Sequence, residues 1–214
     1  MKLTQQTTTA AGPGTTSVIA SFFARTIRRP HAVRRCGLLL IGVGAAYALS
    51  IELLALGGGT PGMAPWLNIP RDSYFFVEPA FTAPVIILSA ILAAAIAYLL
   101  AKAFGSGGSF DDTFAAIGLA TCIATLFSLV PDFVMGAITT AGLVDGAAWA
   151  ENLITPSPAA TFLWSYLTLY VLAFLVLYPV AVRSADNRLP AGKAVAAGWA
   201  AFIVYQSILL VFIR

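Results

Sequence analysis

KAFGSGGSFDDTFAAIG, residues Lys102 to Gly118, separates two long apolar runs and decides how the chain is laid out. Gly105, Gly107 and Gly108 lack a Cβ and can take a positive φ at low steric cost, which predicts a tight reversal. Ser109 is a preferred N-cap residue, and Asp112 follows three positions later, where a capping-box acid belongs. Asp111 and Asp112 also fall at the positive end of the next helix dipole. Gly105, Gly107, Gly108, Ser109 and Phe110 therefore form a candidate structural turn at the membrane surface, opening a helix that runs back.

The composition around this turn is that of a membrane protein. Of 214 residues, 59% are hydrophobic and 10% charged, whereas a soluble domain carries about 25% charged residues. The formal charge of +3 does not imply nucleic acid, because the basic residues gather at the edges of apolar runs. Cys36 and Cys122 both lie inside such runs and cannot make a disulfide framework. His31 is the only histidine, which argues against histidine-based metal or haem sites and histidine-dependent triads. The glycine turn also fails as a phosphate loop, since Ser109 follows Gly108 where a Walker loop needs lysine. No catalytic, metal or cofactor-binding residue is predicted.

Five apolar runs are long enough for a hydrocarbon core of about 30 Å. They predict an all-α polytopic membrane domain over residues 36–214, with spans at 36–56, 84–101, 113–130, 161–182 and 192–213. Arg34 and Arg35 precede the first run, which is long for a signal peptide and lacks a small-residue cleavage site, so we read a retained helix. The loop from Thr60 to Pro79 carries Trp66, Tyr74, Phe75 and Phe76, an aromatic set suited to the interface. Pro131 and Asp132 stop or kink the third helix. Residues 133–143 either continue it beyond a kink or form an interfacial helix. Residues 1–35 form a tail, polar and disordered over 1–15. Ser17 to Arg29 is either a basic amphipathic helix on the bilayer or a solvated tail with chance periodicity.

Ten of the twelve basic residues fall on one face of a five-span layout, leaving only Arg71 and Arg214 on the other. The positive-inside rule then makes the N-terminus cytoplasmic and the C-terminus extracytoplasmic. Small residues recur every four positions: Gly42, Ala46 and Ser50 on the first span, Ser89, Ala93, Ala97 and Ala101 on the second, and Ala116, Ala120, Ala124 and Ser128 on the third. Such stripes let helix backbones approach closely and predict an antiparallel hairpin of the second and third spans. The fourth span, with Trp164, Tyr166, Tyr170 and Phe174, is expected to face lipid.

Glu52 is the one ionisable residue well inside a predicted span, and so a candidate intramembrane functional carboxylate. It lies about one turn from the helix end and equally suits the interface. Asp132 is expected at a helix end, Asp145 and Glu151 in solvated loops. Cys36, beside the membrane surface, is a plain thiol or an acylation site.

GSGGSF at Gly105 to Phe110, followed by DDTFAAIGLA, resembles the Yip family of five-span, Rab-GTPase-interacting membrane proteins and its prokaryotic relatives. Pro131 matches that family's proline at the end of the third helix. The loop with Ile69, Pro70 and Tyr74 is also similar, as is the polar turn with Lys193 and Ala194. The D-L-Y-G-P-type sequence of eukaryotic members is absent near the first spans. With an Ala- and Arg-rich composition, the resemblance implies a prokaryotic-type relative in the cytoplasmic (inner) membrane. It implies a non-enzymatic scaffold or trafficking-type role, with the lipid bilayer and a membrane-protein partner or second copy as partners. A small transporter or channel subunit, or an accessory subunit of a larger complex, is the alternative expectation.

Overall fold

The computed structural model describes residues 17–60, 69–151 and 158–212. Within them lie seven helices: α1 (Ser17–Ile27), α2 (Ala32–Leu56), α3 (Arg71–Ala103), α4 (Phe110–Thr140), α5 (Gly146–Glu151), α6 (Pro158–Ala185) and α7 (Ala191–Phe212). Five of them, α2, α3, α4, α6 and α7, are long and apolar enough to cross a membrane. No strand occurs among the described residues. The chain is thus an all-α membrane protein of five spans. The tail of residues 1–15 and Trp66 lie outside the described residues.

Three helix ends are closed the same way. Gly58, Gly105 and Gly142 have φ of 79°, 89° and 72°, which costs a glycine little. At each, the glycine N–H bonds back three residues and the next N–H five. At the α3 end these are Gly105 N to Lys102 O at 2.9 Å and Ser106 N to Ala101 O at 2.9 Å. This is a Schellman closure, which satisfies carbonyls that a helix otherwise leaves open.

Two spans are longer than their sequence suggests. α3 begins at Arg71 rather than residue 84 and runs through Pro79 and Pro84, so Tyr74, Phe75 and Phe76 are helical rather than loop residues. α4 continues through Pro131 to Thr140, which makes residues 133–140 an extension of the third span. Proline removes one hydrogen bond from a helix, but packed neighbours can re-satisfy the freed carbonyl. α6 shows how. Pro179 lacks the N–H that would bond to Leu175, and Trp199 Nε1 of α7 donates to the Leu175 carbonyl instead, at 3.0 Å.

The spans form a closed ring in the order α2, α4, α6, α7, α3, with α4 also touching α3 across it. α4 packs most extensively on α2 and α6, and α3 on α7 and α2. The expected α3–α4 hairpin is therefore present but is not the principal contact of either helix. The small residues explain the tight crossings. Ala93, Ala97, Ala116, Ala120 and Ala124 are fully buried. A Cβ at Gly136 would stand 2.9 Å from the Ser50 carbonyl oxygen, and one at Gly198 only 2.5 Å from Pro179 N. On α2 the expected stripe holds at its Ser50 end, which is fully buried, but not at its start. Gly42 is exposed, and Gly44 makes the close approach, to Ala83.

α6 is also less lipid-like than its bulk suggested. Trp164 is exposed, but Tyr166, Phe174 and Tyr178 are buried. The Phe174 ring lies 4.9 Å from Tyr170, 5.2 Å from Tyr178 and 5.0 Å from Tyr205, an aromatic core joining α6 and α7. α1 packs against α6 and α4 at the basic end of the bundle. It buries Phe23 and Ile27 there, so Ser17–Ile27 is an amphipathic helix rather than a solvated tail.

Candidate functional site

The first candidate is the glycine turn. Ser109 takes an extended conformation and its Oγ accepts from Asp112 N at 3.1 Å, while the same hydroxyl donates to Asp112 Oδ2 at 2.7 Å. Local sequence suffices for this cap. The left-handed residue of the turn is Gly105, whereas Gly107 and Gly108 have negative φ. Their role is contact. Gly107 N donates to Asp186 Oδ2 at 2.8 Å, and a Cβ on Gly108 would meet the Asp186 side chain at 3.3 Å.

Asp186 is a residue that sequence reasoning missed. It stands in the α6–α7 connection and fastens the α3–α4 turn from across the bundle. Ser106 Oγ donates to its Oδ2 at 2.6 Å, and Arg188 N to its Oδ1 at 3.0 Å. These donors favour the ionised form. The Ser106 hydroxyl, followed by the backbone N–H groups of Arg188, Gly107 and Gly108, holds the Asp186 carboxyl below the usual carboxylate range. Lys193 adds a second tie, donating to the Phe104 carbonyl at 3.2 Å and lying 5.6 Å over the Phe104 ring. The two connections at the basic end thus behave as one surface. Phe110 ends this surface, its ring against Tyr98 and Phe114.

The second candidate lies inside the bundle towards the opposite end. Tyr166 OH of α6 donates to Asp132 Oδ1 of α4 at 2.8 Å, and Tyr47 of α2 approaches the same carboxylate. Glu78 of α3 is fully buried at a similar depth. One turn deeper, Gln206 Nε2 of α7 donates to Tyr170 OH at 3.0 Å. Asp132, Glu78, Tyr47 and Tyr166 sit seven to nine residues from the far ends of their helices, roughly 10–14 Å deep. Thr121, Thr125, Ser128 and Asp132 share one face of α4, and Thr121 meets Tyr178 OH at 2.9 Å. Two carboxylates towards the far end, and a file of hydroxyls running from there past the middle of α4, therefore line the helix contacts of the bundle.

Glu52 joins neither group. It is half-buried on α2 and makes no hydrogen bond or ion pair among the described residues. Glu78 reads as a loop residue because Pro79 and Pro84 read as the boundary of the second span, and Asp132 reads as a helix-end residue because Pro131 reads as the end of the third. A carboxylate beside a proline inside a hydrophobic stretch was the signal that could have found both. Cys36 is buried between α2 and α4, its Sγ directed at the Phe114 carbonyl at 3.8 Å, which removes it from acylation. No group of three or more His, Cys, Asp or Glu arranged to hold a metal occurs among the described residues.

No family model matches the chain, and neither a curated protein nor a solved structure matches it.

Proposed function

We propose that this chain is a non-enzymatic membrane-organising protein of the prokaryotic Yip-domain type, oriented with its basic end in the cytoplasm and acting by binding partners in the inner membrane. The observation that carries this is the turn GSGGSF, held by Asp186 of the α6–α7 connection, with Lys193 of α7 tied to the adjoining Phe104 carbonyl. A turn with a merely connecting role needs no tie to a distant loop. One tied in this way presents a surface of defined shape, which is what a partner or a second copy recognises. Crosslinking in native membranes followed by purification in mild detergent tests it. A recurrent partner or homo-oligomer is expected, lost on Asp186→Ala while the bundle still folds. A lone monomer with no partner or lipid preference would remove the proposal.

Fully buried Glu78 and half-buried Asp132, both within spanning helices, favour a second reading, a small transporter or channel subunit. Ionisable residues inside a membrane are costly and commonly mark ion or proton paths. Asp132 and Glu78 would be its working groups, in place of Glu52. Flux in liposomes should fall in Asp132→Asn and Glu78→Gln. Unchanged flux in both removes them from any mechanism, and no flux in the parent removes this reading.

A further inference from the structure

At the basic end, α1, α2 and α4 enclose a cavity of about 170 Å³. Its lining is mixed: Arg29 and Arg35 bring charge, and Ile27, Leu39 and Leu119 bring apolar surface. Leu39 lies seven residues into α2 and is half-exposed on the outer surface of the ring, so this lining reaches about 10 Å below the helix start. A cavity of this order takes an apolar group about the size of a benzene ring.

The charges here, Arg28, Arg29, Arg34 and Arg35, have no side-chain hydrogen-bond or ion-pair partner among the described residues. No Asp or Glu occurs anywhere from Met1 to Ile51. The contrast with a neighbouring cleft of about 120 Å³ is informative. There Arg28 faces Asp112 and Asp186, so its charge is locally offset. The cavity with Arg29 and Arg35 has no acid in its lining. α2 also starts at His31 without a side-chain cap, leaving its positive dipole end on the same side. α1 turns Val18, Ile19 and Phe22 outwards, the first 72% exposed, an apolar face that places this corner at the depth of lipid headgroups.

We propose that this cavity is a binding site for one anionic phospholipid of the leaflet that meets the basic end. Its phosphate would sit between the Arg29 and Arg35 guanidiniums, which match phosphate as paired donors. The first part of an acyl chain would enter against Ile27, Leu39 and Leu119. A free phosphate would use the arginines alone, leaving the apolar wall without an occupant. Basic pockets between spans are the usual form of such headgroup sites. The inference stands apart from both readings of function above.

The test measures binding of phosphatidylglycerol to the full chain in mild detergent, by native mass spectrometry and by the rise in thermal midpoint. Phosphatidylcholine and inorganic phosphate are the comparison probes. The expected result is a shift with phosphatidylglycerol, little with phosphatidylcholine and none with inorganic phosphate. Arg29→Gln with Arg35→Gln should weaken phosphatidylglycerol about 30-fold, the share carried by two basic residues at a membrane surface. Arg25→Gln with Arg34→Gln removes the same charge away from the cavity and should keep most of the shift. The unliganded midpoint of each pair shows that it folds. Equal response to both lipids, an equal response to inorganic phosphate, or equal losses in the two arginine pairs would overturn the site.

Discussion

Gly198→Ala should destabilise the bundle although alanine is the better helix former. Gly198 lies on α7 where it crosses α6, and an added Cβ would come within 2.5 Å of Pro179 N and 2.8 Å of its Cα and Cδ. Ordinary contact begins near 3.4 Å, so the crossing has to open by about 0.9 Å. The atoms in the way are backbone and a closed ring, with no rotamer to yield. Overpacking of this kind costs about 1–3 kcal/mol. Helix propensity works the other way, by about 0.5–1 kcal/mol. Gly42→Ala isolates that term, because a Cβ there meets nothing within 4 Å. The propensity gain cancels between the variants, so Gly198→Ala should lie about 1–3 kcal/mol below Gly42→Ala. For a chain of this size each kcal/mol shifts the thermal midpoint by about 2–4 °C. Melting followed by circular dichroism in mild detergent measures it. A Gly198→Ala midpoint at or above that of Gly42→Ala would refute the close crossing and the steric reasoning with it.

Trp199→Phe keeps the ring but leaves the Leu175 carbonyl without the donor that replaces Pro179; a loss of about 1–3 kcal/mol is expected, and Trp199→Phe with Pro179→Ala should recover most of it in the same melt. Tyr166→Phe withdraws the donor from Asp132 and should cost about 1–3 kcal/mol, whereas Thr168→Val, on an exposed face of the same helix, should cost markedly less. Asp186→Asn should lower the thermal midpoint at pH 7, and the sign of its pH dependence follows from the depressed carboxyl. Its folded value lies below 3.8, so the stabilisation is complete above the unfolded value and is lost as pH falls through the folded one. The gap between parent and Asp186→Asn should therefore hold from pH 7 to about pH 5 and close only below about pH 4; a gap that closes already between pH 7 and pH 5 would show that the latch does not depend on an ionised Asp186.

What the sequence determined by itself was whatever depends on neighbours along the chain. Five apolar runs follow from hydropathy, and a helix needs only such a run to satisfy its own backbone in lipid. The Ser109 cap joins residues three apart, and the Gly105 closure of α3 is equally local. The tertiary structure decided everything that needs a second segment. Pro79, Pro84 and Pro131 read as boundaries while each helix is considered alone, because the lost hydrogen bond has no visible replacement. Trp199, twenty residues beyond Pro179, shows that a neighbouring helix supplies one. Once those helices are continuous, Glu78 and Asp132 move from loop and helix end into the bundle. Asp186 reaches Ser106 and Gly107 across about eighty residues of chain. Its own neighbours, Ala185 and Asn187, give no sign of this. Hydropathy and capping act over a few residues, whereas a carboxylate's partners are set by which helix ends meet, and that is fixed only when the ring of five closes.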